Sequence, residues 1–208
     1  MKKVHSLIGI ASLLVLILSS GASATLLQLD GISNFYGQTV AWTYNGHGDS
    51  GLAGQMNGKL DSVFTTGAYC VEIDAVTYIP GSYELELRAL QTDQEKRAAW
   101  LMATYMGETD TTTAGKTAGA ALQLAIWETY YGDLFSYTPT GDIGTKYGEY
   151  IGALGRYPSG GFSDIDFAIC QTGQDLLVKV PAPVPEPATL LLLGSGLLGL
   201  AGFRRKTK

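Results

Sequence analysis

Two apolar stretches, one at each end, limit how much of this 208-residue chain can fold in water. The chain opens with the basic Met1-Lys2-Lys3, continues through an apolar run from Leu7 to Leu18, and reaches the small-residue string Ala22-Ser23-Ala24. That order is the layout of a secretory signal peptide cleaved after Ala24, and the run is too short to span a bilayer. At the other end Leu190 to Phe203 is apolar for 14 residues, below the roughly 20 that a spanning helix uses. Arg204-Arg205-Lys206 follows, and a basic flank of this kind stays on the cytoplasmic side. What remains for folding is the stretch 25–180, enough for one ordinary core.

Immediately before the second apolar run stands Val184-Pro185-Glu186-Pro187-Ala188-Thr189. Motif, apolar stretch and basic end together resemble the PEP-CTERM sorting signal of exopolysaccharide-producing Gram-negative bacteria. The resemblance implies transient anchoring in the inner membrane, processing by an exosortase near Pro185, Glu186 and Pro187, and delivery to the cell surface or extracellular matrix. The chain therefore divides into a signal peptide (1–24), a folded domain (25–180) and a sorting segment with a short hydrophobic segment and a basic tail (181–208). Between residues 25 and 187 there are 19 acidic residues against 8 basic ones, a net charge of −11. Such a surface argues against nucleic acid and against anionic lipid as partners.

Within the folded stretch the first half reads as β. Leu26, Leu27 and Leu29 begin a strand, Val40 to Tyr44 is a β-branched and aromatic one, and Tyr69 to Asp74 alternates. Asn45 to Gly51 is a turn-rich loop, and Asn57-Gly58 predicts a hairpin turn. Val76 to Tyr78 and Tyr83 to Leu87 flank a turn at Pro80-Gly81. The pattern switches at Thr92, where Thr92 and Glu95 form a capping box opening a helix to about Met106. A second helix spans about 117–131 and stops at Gly132. Residues 137–161 read as loop with a short helix near 147–154, and Ile165 to Cys170 and Leu176 to Val180 form a closing strand pair. The fold class is α+β: a β-rich sandwich or barrel-like domain with a two-helix insertion.

The chemistry narrows by elimination. After export His47 is the remaining histidine, and it sits in a glycine loop. No G-x-S-x-G elbow, zinc-spaced Cys/His set or calcium loop is present, so no cofactor or metal is expected. Gln123 stands out. At 100° per residue, Gly119, Ala120, Ile126, Trp127 and Tyr130 fall within about 60–70° of it, while Glu128 points about 140° away. A buried primary amide needs a partner or costs a few kcal/mol. Two cysteines, Cys70 and Cys170, enter an oxidising compartment, where the plain reading is one disulfide closing a loop of about 100 residues, worth up to roughly 4–5 kcal/mol.

The strings Tyr69-Cys70-Val71-Glu72-Ile73-Asp74 and Leu122-Gln123-Leu124-Ala125-Ile126-Trp127-Glu128, with Thr172 to Leu177 near the end, resemble the paired motifs of the bacterial surface thioester domains. The resemblance runs over roughly 40–180. It implies that the Cys70 sulfur and the Gln123 side-chain carbonyl condense into an internal thioester with loss of ammonia. A lysine amine or a hydroxyl on a surface or matrix protein, or on a glycan, then attacks it once. Tyr69, Ile126, Trp127 and Tyr130 would shield the bond from water. The protein would be a single-use adhesin or matrix cross-linker and not a turnover enzyme. If Cys70 instead pairs with Cys170, the alternative is a non-covalent structural or glycan-binding component of the exopolysaccharide matrix.

Overall fold

One long strand, β3 (His47–Leu60), organises the fold of the computed structural model, which describes residues 24–158 and 164–181. The signal peptide, the Pro185-Glu186-Pro187 motif and the apolar run after it lie outside the described residues. β2 (Tyr36–Tyr44) turns into β3 through Asn45 and Gly46, both at positive φ (50° and 79°), and Tyr44 pairs with His47. A two-residue turn with both central residues left-handed matches the twist of the strands that it joins.

The hairpin expected at Asn57-Gly58 does not form, because that dipeptide lies inside β3. Asn57 is used for its side chain, which donates to the Asn34 carbonyl and accepts from Gln55, both at 2.6 Å. Gly58 is used for its missing side chain, since a Cβ there would overlap the Gln28 carbonyl oxygen of the neighbouring strand.

β3 changes partners along its length. His47 to Gln55 pairs with β2, whereas Met56 to Leu60 pairs with β4 (Phe64–Cys70) on one edge and, at Gly58 to Leu60, with β1 (Thr25–Leu29) on the other. With β5 (Gly81–Arg88), β7 (Ile165–Cys170) and β8 (Leu176–Lys179), six antiparallel strands close in the order β1-β5-β7-β8-β4-β3. Closure removes the free edges that an open sheet would expose. β2 and the two-residue β6 (Phe135–Ser136) extend the sheet beyond the barrel. Inward residues such as Leu27, Met56, Ala68, Leu85, Ala168 and Val178 fill the barrel, while their neighbours Tyr69, Phe167 and Leu177 face a layer of helices.

That layer lies in sequence between β5 and β7. It contains α1 (Asp93–Tyr105), α2 (Thr113–Tyr131) and α3 (Gly141–Ala153), three helices rather than two. α1 carries the expected capping box of Thr92 and Glu95. α2 begins four residues earlier than its apolar pattern, because the Thr112 hydroxyl accepts the Gly115 N–H at 3.0 Å and caps it. α3 has four glycines in 13 residues and a weak intrinsic tendency to form; burying Tyr147, Tyr150 and Ala153 supplies what propensity lacks. The architecture is thus α+β, a closed barrel with a helical insertion. Among the described residues no helix is long and apolar enough to cross a membrane.

Candidate functional site

The site arises where β3 leaves β4. Their ladder runs up to Met56 opposite Ala68, and β3 then bends away to β2, so the end of β4 loses its partner on that edge. The side chain of Gln123 takes the vacated place. Its Oε1 accepts the Cys70 backbone N–H at 3.0 Å and its Nε2 donates to the Cys70 carbonyl at 2.7 Å. A carboxamide presents the same donor and acceptor as a peptide group, so Gln123 acts as one more rung of the sheet. The close approach depends on Gly119, one turn earlier, where a Cβ would overlap the Tyr36 carbonyl oxygen. Ten consecutive residues of α2, Ala118 to Trp127, are buried, so Gln123 lies in a helix without a solvent face at that point.

The Cys70 side chain meets a different glutamine. Its Sγ donates to Oε1 of Gln174 at 2.8 Å. Gln174 lies in the link between β7 and β8, where its Nε2 donates to the Glu72 carbonyl and its N–H to the Thr77 hydroxyl. Asp175 ties the same link down: its carboxylate accepts the Cys170 N–H at 3.0 Å and its carbonyl accepts the Val71 N–H at 2.8 Å. Cys70, Gln123 and Gln174 line one cavity of about 170 Å³, walled by Phe35, Met56 and Ile79. Ile32, Leu52 and Tyr78, each more than half exposed, stand at its mouth. Burial pushes the Cys70 thiol up to about 12, so the sulfur is held as a neutral thiol.

The residues expected to shield the centre lie elsewhere in the core. Tyr69 is fully buried but points to the helix side, with its hydroxyl 3.5 Å from Gln55 Oε1. Ile126 is fully buried in α2, Trp127 packs 4.9 Å from Trp42, and Tyr130 stacks on Phe167. None of the four lines the cavity. The two cysteines are free thiols, and β8 runs between the strands that carry them. Two strand spacings amount to about 10 Å, beyond the Cα separation that a disulfide bridges. His47 is exposed beside the β2–β3 turn. Among the described residues no group of three or more His, Cys, Asp or Glu side chains is placed to hold a metal ion. Gln174 is the contact that sequence reasoning passed over. A glutamine between Gly173 and Asp175 has no periodicity to mark it, and only the string Thr172 to Leu177 hinted at it.

Comparison with known families adds one finding. The family model for the PEP-CTERM protein-sorting motif matches residues 183–206. Residues 183–206 are a PEP-CTERM sorting signal. The search of curated proteins and the search of solved structures each returned no match. The PEP-CTERM signal implies a protein exported from the cytosol and processed by an exosortase at the membrane for the cell surface or the extracellular space.

Proposed function

We propose that this exported protein stores an internal thioester between Cys70 and Gln174 and uses it once, to attach covalently to a nucleophile on a surface or matrix partner. The carrying observation is the 2.8 Å approach of the Cys70 sulfur to the Gln174 carboxamide inside the cavity. The geometry favours Gln174 over Gln123 as acyl donor. Both polar atoms of Gln123 are spent on the Cys70 backbone, whose N–H and carbonyl lie in the plane of the sheet, whereas the side chain projects out of it. Gln123 fixes Cys70; Gln174 meets its sulfur.

In the forming step Sγ bonds to Cδ of Gln174, the Cδ–Nε2 bond breaks, and the thiol proton leaves with the nitrogen as ammonia. Holding sulfur and carbonyl on two tied-down segments supplies the effective concentration. The burial that raises the thiol's pKa slows departure of the sulfur as a thiolate, whether water or an amine attacks. An attacking amine forms an amide to Gln174 and releases Cys70 as a thiol. Nothing regenerates the bond, so the protein acts as an adhesin or cross-linker and does not turn over.

The test is the intact mass of the folded mature protein, expected to be lower than its sequence mass by one ammonia. Cys70→Ala and Gln174→Ala should each abolish the deficit, and methylamine should abolish it while leaving one adduct mapped by peptide sequencing to Gln174. An adduct on Gln123 would return the acyl role to the helix. A full sequence mass, or one lower by two hydrogens, would end the thioester reading. A cleft of about 450 Å³ between β2 and the start of α3 supports a second reading. It is lined by Thr39, Thr43, Ser136, Thr138 and Thr140 with Trp42 and Tyr137, a neutral hydroxyl and aromatic surface suited to a glycan. Matrix polysaccharide binding that survives Cys70→Ala would favour that non-covalent role.

A further inference from the structure

The segment that covers the cavity is held shut by the group that the reaction consumes. Residues 71–80 run from the end of β4 to β5, and Thr77, Tyr78 and Ile79 from this segment line the cavity. Few bonds hold it. The Ile73 N–H donates to the Tyr131 hydroxyl at 3.2 Å. The Tyr83 hydroxyl receives the Tyr78 N–H at 2.7 Å and donates to the Tyr78 carbonyl at 2.8 Å. The remaining ties go to the link that carries Gln174. Its Nε2 donates to the Glu72 carbonyl and its backbone N–H to Thr77; the Asp175 carbonyl accepts the Val71 and Glu72 N–H groups at 2.8 and 3.4 Å, and the Asp175 N–H reaches the Glu72 carboxylate at 3.4 Å. Of these, the bond from Nε2 is the only one made by an atom that thioester formation removes.

We infer that residues 71–80 are a flap whose closure reports the chemical state of Gln174, opening when the carboxamide nitrogen leaves and closing again when an amine restores it. This inference rests on Gln174 being the acyl donor. The four states differ in their donors. The carboxamide has two N–H groups, the thioester none, an amine adduct one, and the hydrolysed acid none, together with a negative charge facing the Glu72 carbonyl. Losing the donor leaves that carbonyl without its partner and removes one of the ties between the segment and the β7–β8 link. The stored thioester therefore sits beneath a loosened cover, through which a nucleophile gains access. Formation of the amide re-latches the cover over the product. A hydrolysed site stays loose.

Hydrogen exchange of the full mature protein, read by mass spectrometry over peptides covering residues 71–80 with α1 as internal reference, tests this. The decisive pair shares one sequence and one free thiol: protein opened with methylamine against protein opened by hydrolysis. The amide adduct is expected to exchange severalfold more slowly at Ile73 and Tyr78 than the acid, and the intact thioester to exchange like the acid. Equal exchange in the adduct and the acid overturns the flap while leaving the thioester standing. If no ammonia deficit exists, the thioester reading falls by its own measurement, and Gln174→Glu against wild type still probes the latch. Faster exchange over 71–80 in that variant, with α1 unchanged, supports it; unchanged exchange overturns it.

Discussion

At Cys70 the backbone and the side chain answer to different glutamines, and the two bonds differ in what they do. The Gln123 clamp is structural first. Removing it with Gln123→Ala strands a buried N–H and a buried carbonyl, which should cost about 1–3 kcal/mol in urea unfolding. As a free thiol the sulfur has a measurable signature. With its thiol pushed up to about 12 by burial, free Cys70 beside the Gln174 carboxamide should alkylate with iodoacetamide at pH 9 more than tenfold slower than an ordinary cysteine of pKa about 8.5. The linkage has a definite sign. A folded pKa raised above the unfolded value gives stability that is full below about pH 8.5 and is lost as pH rises toward 12. The proposed thioester form would have no thiol to titrate, so its melting temperature should fall less across that window than that of the free-thiol form.

Among the elements, α1 and α2 show two ways in which a helix is fixed in place. α1 is anchored at its start, where Glu95 is 3% exposed and receives both the Arg88 guanidinium, at 2.8 and 3.0 Å, and the N–H groups of Gln91 and Thr92. Burial alone would raise its pKa, but the ion pair with Arg88 and the two backbone donors outweigh it, and the carboxyl sits below its usual range. Its contribution is therefore present above about pH 4.3 and lost as pH falls through the lowered value. Glu95→Gln should cost roughly 1–3 kcal/mol at pH 7 and flatten the acid limb of the stability profile. The lower end of that range applies because the Arg88 side chain is 23% exposed and screened. α2 is fixed by contact. Gly119→Ala forces a methyl into the Tyr36 carbonyl, and the expected loss of about 1–3 kcal/mol should come with weakened protection of the Cys70 N–H, because Gln123 shifts with the helix. The capping box was legible because it is a local device with a fixed spacing. The Asn57-Gly58 turn was misread because a glycine chosen for close strand approach and one chosen for positive φ look alike in a sequence.

For the whole molecule, the barrel and the sorting signal occupy separate stretches of the chain. The PEP-CTERM match at residues 183–206 lies beyond β8, which ends at Lys179. Replacing Pro185, Glu186 and Pro187 with alanine should leave the barrel's melting temperature unchanged and block processing, read as retention of a C-terminal epitope in the membrane fraction. The net charge of −11 over residues 25–187 is spread over a domain with few ion pairs. It sets solubility outside the cell and leaves the site to neutral groups, since apolar and uncharged polar side chains line the Cys70 cavity.

By itself the sequence determined the sorting signal at residues 183–206, the α+β class and the capping box of α1. Each is written in contiguous residues or in a period that local geometry enforces. Tertiary structure placed two glutamines at Cys70, one on its backbone and one on its sulfur. Only the bend of β3 opens the edge that Gln123 fills, and only barrel closure brings the β7–β8 link, 104 residues away in the chain, to within 2.8 Å of the sulfur. That bond depends on strand order, and strand order is settled by which faces of the strands can be buried together, a property of the closed barrel rather than of any segment of it.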